Sequence, residues 1–258
     1  MDYFLTLLKT MRRIIYLIIL SCASYNCIQA QERTVQNRPY TDLRPIHFGV
    51  IAGFHYQDIE FINAGPITYT DENGIEQSST ITCDQDRWEP GFTVGVLAEF
   101  RLNESFQFRV APTMYFGNHH LTFHNYTNKD SNGNDSYETQ DLKTSYFATS
   151  FDLIFAAERF NNHRPYIMAG VVPMINLSGS DDAYMKLKGF DSFFEIGIGC
   201  DFYLPYFKLR PELKFMYGLT NAYDSNHANQ IRNKSMLPYT LSAREAHTKM
   251  VALTFYFE

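Results

Sequence analysis

Four charges stand at every second position of "FKLRPELKF", Phe207 to Phe215: Lys208, Arg210, Glu212 and Lys214 alternate with Phe207, Leu209, Pro211, Leu213 and Phe215. Other residues able to do chemistry are sparse. "NHHLTFHNY" gathers His119, His120 and His124, and at a two-residue period His120 and His124 share a face. No acidic or thiol ligand at a recognisable spacing accompanies them, so the expectation is no metal site. Cys83 and Cys200 are the only cysteines after residue 30. Neither a nucleophile elbow, a phosphate loop nor a metalloprotease helix occurs, and the chain carries no catalytic or cofactor-binding motif. The chemistry on offer is charge pairing, and its meaning depends on the elements that hold the charges.

Strict alternation over nine positions is the period of a strand, because a helix would scatter those charges around its circumference. Similar segments recur. "IHFGVIAGFHY" sets Ile46, Phe48, Val50, Ala52, Phe54 and Tyr56 on one face; "GFTVGVLAEFRL" and "FQFRVAPTMYF" repeat the pattern. Others run near 145–156, 165–176, 190–203, 207–219 and 248–257. The reading is an all-β fold: a small antiparallel up-and-down transmembrane β-barrel of about eight strands, outer-membrane type. Tight connections at Asn103–Ser105 and Pro205-Tyr206 alternate with long polar excursions over 57–89, 127–144, 177–189 and 220–247. This places both termini in the periplasm and the long loops outside.

A soluble sandwich or barrel would alternate in the same way. Glycine separates the two: Gly49, Gly53, Gly91, Gly95, Gly117, Gly197, Gly199 and Gly218 all fall on the polar parity of their strands. Inward glycines on that scale would empty a soluble core, but they give a tightly curved sheet room on its concave face. The same rule turns Tyr166, Met168 and Gly170 inward. The closing "VALTFYFE" presents Val251, Leu253, Phe255 and Phe257 on one face and ends one residue past an aromatic, which resembles the closing-strand signal read by the barrel-assembly machinery of outer membranes.

The chain has 258 residues, 45% hydrophobic and 16% aromatic, with a formal net charge of -6, a balance that excludes disorder and points away from nucleic acid. "MRRIIYLIIL", Met11 to Leu20, is a basic then apolar stretch too short to span a bilayer as a helix. It reads as part of a secretory signal over residues 1–30, with a cut after Ala30 and Met11 an alternative start; lipidation at Cys22 stays open. Residues 31–43 then form a periplasmic leader and 44–258 the barrel.

Eight strands enclose only enough room for side chains, so inward charges must find partners. A loop centred on Pro205-Tyr206 sets Asp201 opposite Arg210, Gly199 opposite Glu212 and Gly197 opposite Lys214, leaving Lys214 to lean towards Glu195. The three-residue turn "NES" sets Glu99 opposite Arg109. The expected interior ion pairs are therefore Glu99–Arg109, Asp201–Arg210 and Glu195–Lys214. A disulfide is excluded: Cys83 belongs to an outer loop and Cys200 to the lipid face near the other rim, roughly 20 Å away against a reach below about 7 Å.

"IHFGVIAGFHYQDIEF", "PGFTVGVLAEFRLNESFQFRVAPTMYFGNHHLTF", "RPYIMAGV" and "FFEIGIGCDFYLPYFKLRPELKFMYGLTN" resemble the PorT family, outer-membrane barrels of type IX secretion. The similarity runs in order from about residue 45 to 221. It implies a non-enzymatic component needed to bring cargo proteins to the cell surface. Its implied partners are outer-membrane lipid, the assembly machinery and other type IX components, with no cofactor and no catalytic residue. A structural or adhesive barrel of the OmpA or OmpX sort is the alternative. A lipid-modifying enzyme is a third reading, for which Asp224, Ser225 and His227 in "DSNHANQ" are the nearest candidates.

Overall fold

The computed structural model describes residues 35, 37–71, 74–129, 133–179, 183–231 and 233–258. The expected signal peptide, Cys22 and residues 31–34 and 36 of the leader lie outside them. Ten strands form among the described residues: β1 (Ile46–Asn63), β2 (Pro66–Thr70), β3 (Glu76–Arg87), β4 (Pro90–Arg101), β5 (Phe106–Lys129), β6 (Asp135–Ala156), β7 (His163–Asn176), β8 (Phe190–Tyr203), β9 (Lys208–Gly218) and β10 (Ala243–Phe257). Eight of them close into an antiparallel ring in the order β1-β4-β5-β6-β7-β8-β9-β10, with β10 returning to β1 from Val50↔Phe257 to Asn63↔Ala243. Closure pairs the backbone groups that a bilayer could not solvate. Among the described residues no helix is long and apolar enough to cross a membrane, so crossing falls to strands.

Both tight turns form at one end. The Asn103 side chain accepts the amides of Ser105 and Phe106 at 2.8 and 2.7 Å, and the Leu204 amide donates to the Phe207 carbonyl at 3.0 Å. Along the ring wall, Phe48, Val50, Phe54, Val96, Ile167, Ile198, Phe215 and Leu253 point outward and exposed. Aromatic pairs border this apolar band: Phe106–Phe155 at 5.1 Å near the short-turn end, and Phe92–Phe116 at 4.8 Å and Tyr56–Trp88 at 6.5 Å towards the other. That is the outer surface a bilayer requires.

Two of the four expected long loops, 57–89 and 127–144, are largely strand. β1 continues to Asn63, and β5 and β6 stay paired from Phe106↔Phe155 to Asn125↔Ser136, well past the apolar band. The cause is a change in what alternates. Below Tyr56 and Phe116 the outward side chains are apolar. Above them Asp58, Glu60, His120, Thr122, Asp141 and Lys143 look outward, whereas Ile59, Phe61, Leu121 and Phe123 turn inward and are buried. The same strands pass from an inside-out barrel to an ordinary amphipathic one.

β4 starts only at Pro90, so β1 beyond Tyr56 has no ladder partner on that side, and β3, which pairs with β5, takes the place of β4. Two side chains supply the missing ladder. Gln85 accepts the Ile59 amide (3.1 Å) and donates to the Gln57 carbonyl (3.0 Å); Asn63 accepts the Cys83 amide (2.8 Å) and donates to its carbonyl (3.3 Å). Each carboxamide stands in for a peptide group.

Inside the ring, space is scarce. A Cβ on Gly199 would fall onto the Tyr166 ring, whose hydroxyl donates to Glu212 at 2.6 Å. Gly199→Ala should therefore push Tyr166 off Glu212 and cost about 1–3 kcal/mol of stability. Gly179→Ala, where the nearest atom is Lys186 Cε at 3.5 Å, should not. The temperature at which the purified barrel loses its folded gel mobility measures both; equal values would contradict the packed lumen.

Candidate functional site: the barrel interior

β9 turns Lys208, Arg210, Glu212 and Lys214 inward, where all four are buried. They form two linked clusters. In the first, the Arg210 guanidinium binds both Asp201 and Glu99, with Nη2 at 3.2 and 3.1 Å from their second oxygens, and lies 3.5 Å from Glu258. Lys208 reaches Glu258 at 2.5 Å and Asp201 at 3.9 Å, and His47 stands 3.6 Å from Glu258. In the second, Arg109 donates to Asp152 (3.0 Å) and Glu212 (2.8 Å) while its guanidinium lies 4.3 Å from the centre of the Tyr256 ring. Glu212 also accepts from Tyr166 and from Tyr256 (2.8 Å), and Lys214 bridges to it at 3.6 Å and to Glu195 at 3.3 Å. A buried charge is tolerable only when paired and hydrogen-bonded. Arginine suits the centre of each cluster because its planar fork serves two carboxylates at once and stacks on a ring.

Asp201 meets Arg210 and Glu195 meets Lys214. Glu99 and Arg109 stand opposite each other in the β4–β5 ladder, yet they do not form the expected pair. Glu99 gives its oxygens to Arg210 on β9, and Arg109 turns to Asp152 and Glu212. In a ring this narrow an arginine spans the lumen, and the ladder neighbour is only one candidate partner. Sequence reasoning missed Asp152, which lies opposite Arg109 in the β5–β6 register. Its signal was a lone charge on the inward parity of "SFDLIF"; without a short β5–β6 turn nothing set the register. Every carboxylate named here already has a cation or hydroxyl partner, so the arrangement works as a packed polar core.

Both ends are closed. At the short-turn end residues 37–43 fold across the opening. The Arg159 guanidinium lies 3.5 Å from the centre of the Tyr203 ring and binds the carbonyls of Asn37, Arg38 (3.2 Å) and Asn161 (2.8 Å). Asp42 accepts from Tyr203 at 2.5 Å, and Arg38 donates to the Glu258 carbonyl at 2.9 Å. At the long-loop end Ile59, Phe61, Ile81, Cys83, Leu121 and Phe123 pack under Met185, Leu187 and Tyr223 as an apolar plug. Gln140 fastens the cap by exchanging hydrogen bonds with the Met185 backbone (3.1 and 2.9 Å).

Residues 29–224 match the outer membrane protein beta-barrel domain family, which spans most of the chain. The chain belongs to that family. Solved structures it is similar to are OprG from Pseudomonas aeruginosa (12% identity, TM-score 0.44, covering 83% of this chain and 94% of that one) and Neisserial surface protein A (12%, 0.41, 83% and 98%). A third is Ail, the attachment invasion locus protein of Yersinia pestis, in complex with the heparin analogue sucrose octasulfate (10%, 0.34, 83% and 98%). No curated protein matches the chain.

In this outer membrane barrel the histidines divide. His119 points inward, 3.2 Å from the Thr144 hydroxyl, while His120 and His124 face outward and meet acids on β6: Asp141 at 2.6 Å and Asp135 at 2.9 Å. Acidic partners do accompany them, contrary to expectation, because β5 and β6 continue as a paired hairpin. Even so, no three metal-ligating side chains converge among the described residues. Cys83 is buried in the apolar plug, on a strand instead of in a loop, and both it and Cys200 are free thiols. Asp224 accepts the Asn226 amide (3.1 Å) and His227 spends Nε2 on the Ala183 carbonyl (2.7 Å), so neither meets Ser225 as a catalytic partner.

Removing Arg210 strands Glu99 and leaves Asp201 only one cation, the more distant Lys208 at 3.9 Å. Arg210→Ala should cost about 3–5 kcal/mol where the lumen is dry. In double-mutant cycles by urea unfolding from lipid vesicles, Glu99 should couple more strongly to Arg210 than to Arg109. The reverse order would contradict the cross-lumen pairing.

Proposed function

We propose that this protein is a non-enzymatic outer-membrane component of type IX secretion, with both termini periplasmic and the long-loop end at the cell surface. The observation that carries the reading is the resemblance of four sequence blocks, residues 46–61, 90–123, 164–171 and 193–221, to the PorT family. All four fall on ring strands: β1, β4–β5, β7 and β8–β9. The filled lumen and its two closures support a role exercised through contacts and not through conduction. Outer-membrane lipid would meet the apolar wall, the barrel-assembly machinery would close the ring during biogenesis, and other type IX components would bind the exposed ends. A structural or adhesive barrel is the second reading, favoured by the β5–β6 hairpin, whose strands of 24 and 22 residues run far past the apolar band.

Deleting the gene should leave type IX cargo in the periplasm with its C-terminal domain uncleaved, while overall outer-membrane composition stays normal. Normal export in the deletion strain would return the protein to the structural class, and a wide conductance from purified protein in planar bilayers would refute the filled lumen.

Orientation has its own test. Cysteines introduced as Asn134→Cys or Asn226→Cys should react with an impermeant maleimide on intact cells, and Glu104→Cys at the tight turn should not. Labelling of the turn alone would invert the topology.

A further inference from the structure

At the long-loop end the β2–β3 ribbon, the tip of β5 and the segment 233–240 surround a polar pocket of about 430 Å³ that takes no part in the ion clusters. Tyr69 and Gln77 face it from directly opposite positions on the ribbon, so their side chains leave the same face together. Across from them is Tyr239, in the one-turn helix Leu237–Thr240. Its ring is held edge-on to Phe123 (5.6 Å, 81°) and tilted against Tyr184 (5.1 Å), so the apolar plug sets its orientation. Asn125 is buried at the same site and accepts the amides of Thr127 and Asn128 at 3.0 Å each. The Ser235 hydroxyl donates to Asn233 at 2.7 Å, which leaves its lone pairs able to accept. The two charged side chains of the lining, Asp71 and Lys234, are opposite in sign.

We propose that this pocket binds an uncharged saccharide unit of a glycan. Sugar hydroxyls donate and accept together, as carboxamides and hydroxyls do, and the C–H face of a pyranose packs on a tyrosine ring. A polyanion would need a net positive lining. A peptide adding as a strand would use the open outer edge of β2 and not the side-chain face that Tyr69 and Gln77 present. The pocket lining itself is balanced in charge, polar and aromatic. Its volume lies at the small end of the roughly 300–1,000 Å³ of ligand pockets, suiting a mono- or disaccharide. The site is independent of the secretion reading, so the failure of either leaves the other standing.

The test uses the full-length barrel in nanodiscs and saturation-transfer NMR with methyl α-mannoside, methyl β-galactoside and N-acetylglucosamine. At least one sugar should receive transfer. Gln77→Ala and Tyr69→Ala, on the ribbon outside the ring, should each weaken that binding at least tenfold with folded gel mobility unchanged, and Tyr69→Phe, which keeps the ring, should retain it. The proposal is overturned if none of the three sugars binds, if both alanine variants bind as the parent does, or if dextran sulfate or tetraglycine binds more tightly than the sugars.

Discussion

Closing eight antiparallel strands on one another satisfies the backbone inside a bilayer, and it also encloses very little space, so each inward side chain is constrained by those across from it. The bilayer draws apolar residues to the outer wall, which leaves the polar ones to fill the lumen, where they can be kept only if they neutralise and hydrogen-bond one another. Glu212 shows the result. It gathers Arg109 from β5, Tyr166 from β7, Tyr256 from β10 and its own strand neighbour Lys214. Arg210 ties β9 to Glu99 on β4 across the lumen. The ladder joins neighbouring strands only. These cross-lumen bonds join strands that the ladder does not.

The exchange of faces near Tyr56 and Phe116 follows from the same logic once the outer surroundings change. Within the apolar band lipid dictates that hydrophobes face outward. Beyond it water takes over, and the hydrophobic effect reverses the preference without any break in the strands. The ion clusters and the apolar plug are thus two solutions to one filling problem, stacked along a common axis. The plug also explains the buried Cys83, which behaves there as a small hydrophobe.

The fold was legible because alternation and inward glycine survive in a single sequence. Register followed where a short turn fixed it, as at Asn103–Ser105 and Pro205-Tyr206. It was lost where the connection was long, and Asp152 was lost with it. The extensions of β1 and β6 fell within expected loops for a related reason: their alternation continues but its sense flips, so Asp58, Glu60, Asp141 and Lys143 register as polar when only one parity is followed. Which acid an arginine chooses was never legible from pairing rules, because Glu99 and Arg109 are neighbours in the sheet while their partners lie across the lumen. The saccharide pocket had no linear signal at all, since Tyr69, Asn125 and Tyr239 come from three distant segments.

The two ends of the ring differ in how they are shut. The long-loop end is closed by burying apolar area. The short-turn end is closed by a strap, residues 37–43, held by polar contacts to Arg159, Asn162, Arg164, Tyr203 and Glu258. Glu258 is also bonded to Lys208 and lies beside Arg210, so the strap, the last strand and the first ion cluster share one residue. Tyr40 and Leu43 stand exposed on the strap and Tyr206 on a neighbouring turn. A filled barrel offers a partner only its surfaces. Among the described residues this rim combines exposed apolar side chains with a strap whose Asn37, Arg38 and Asp42 are bonded to Asn162, Tyr203, Glu258 and Arg159.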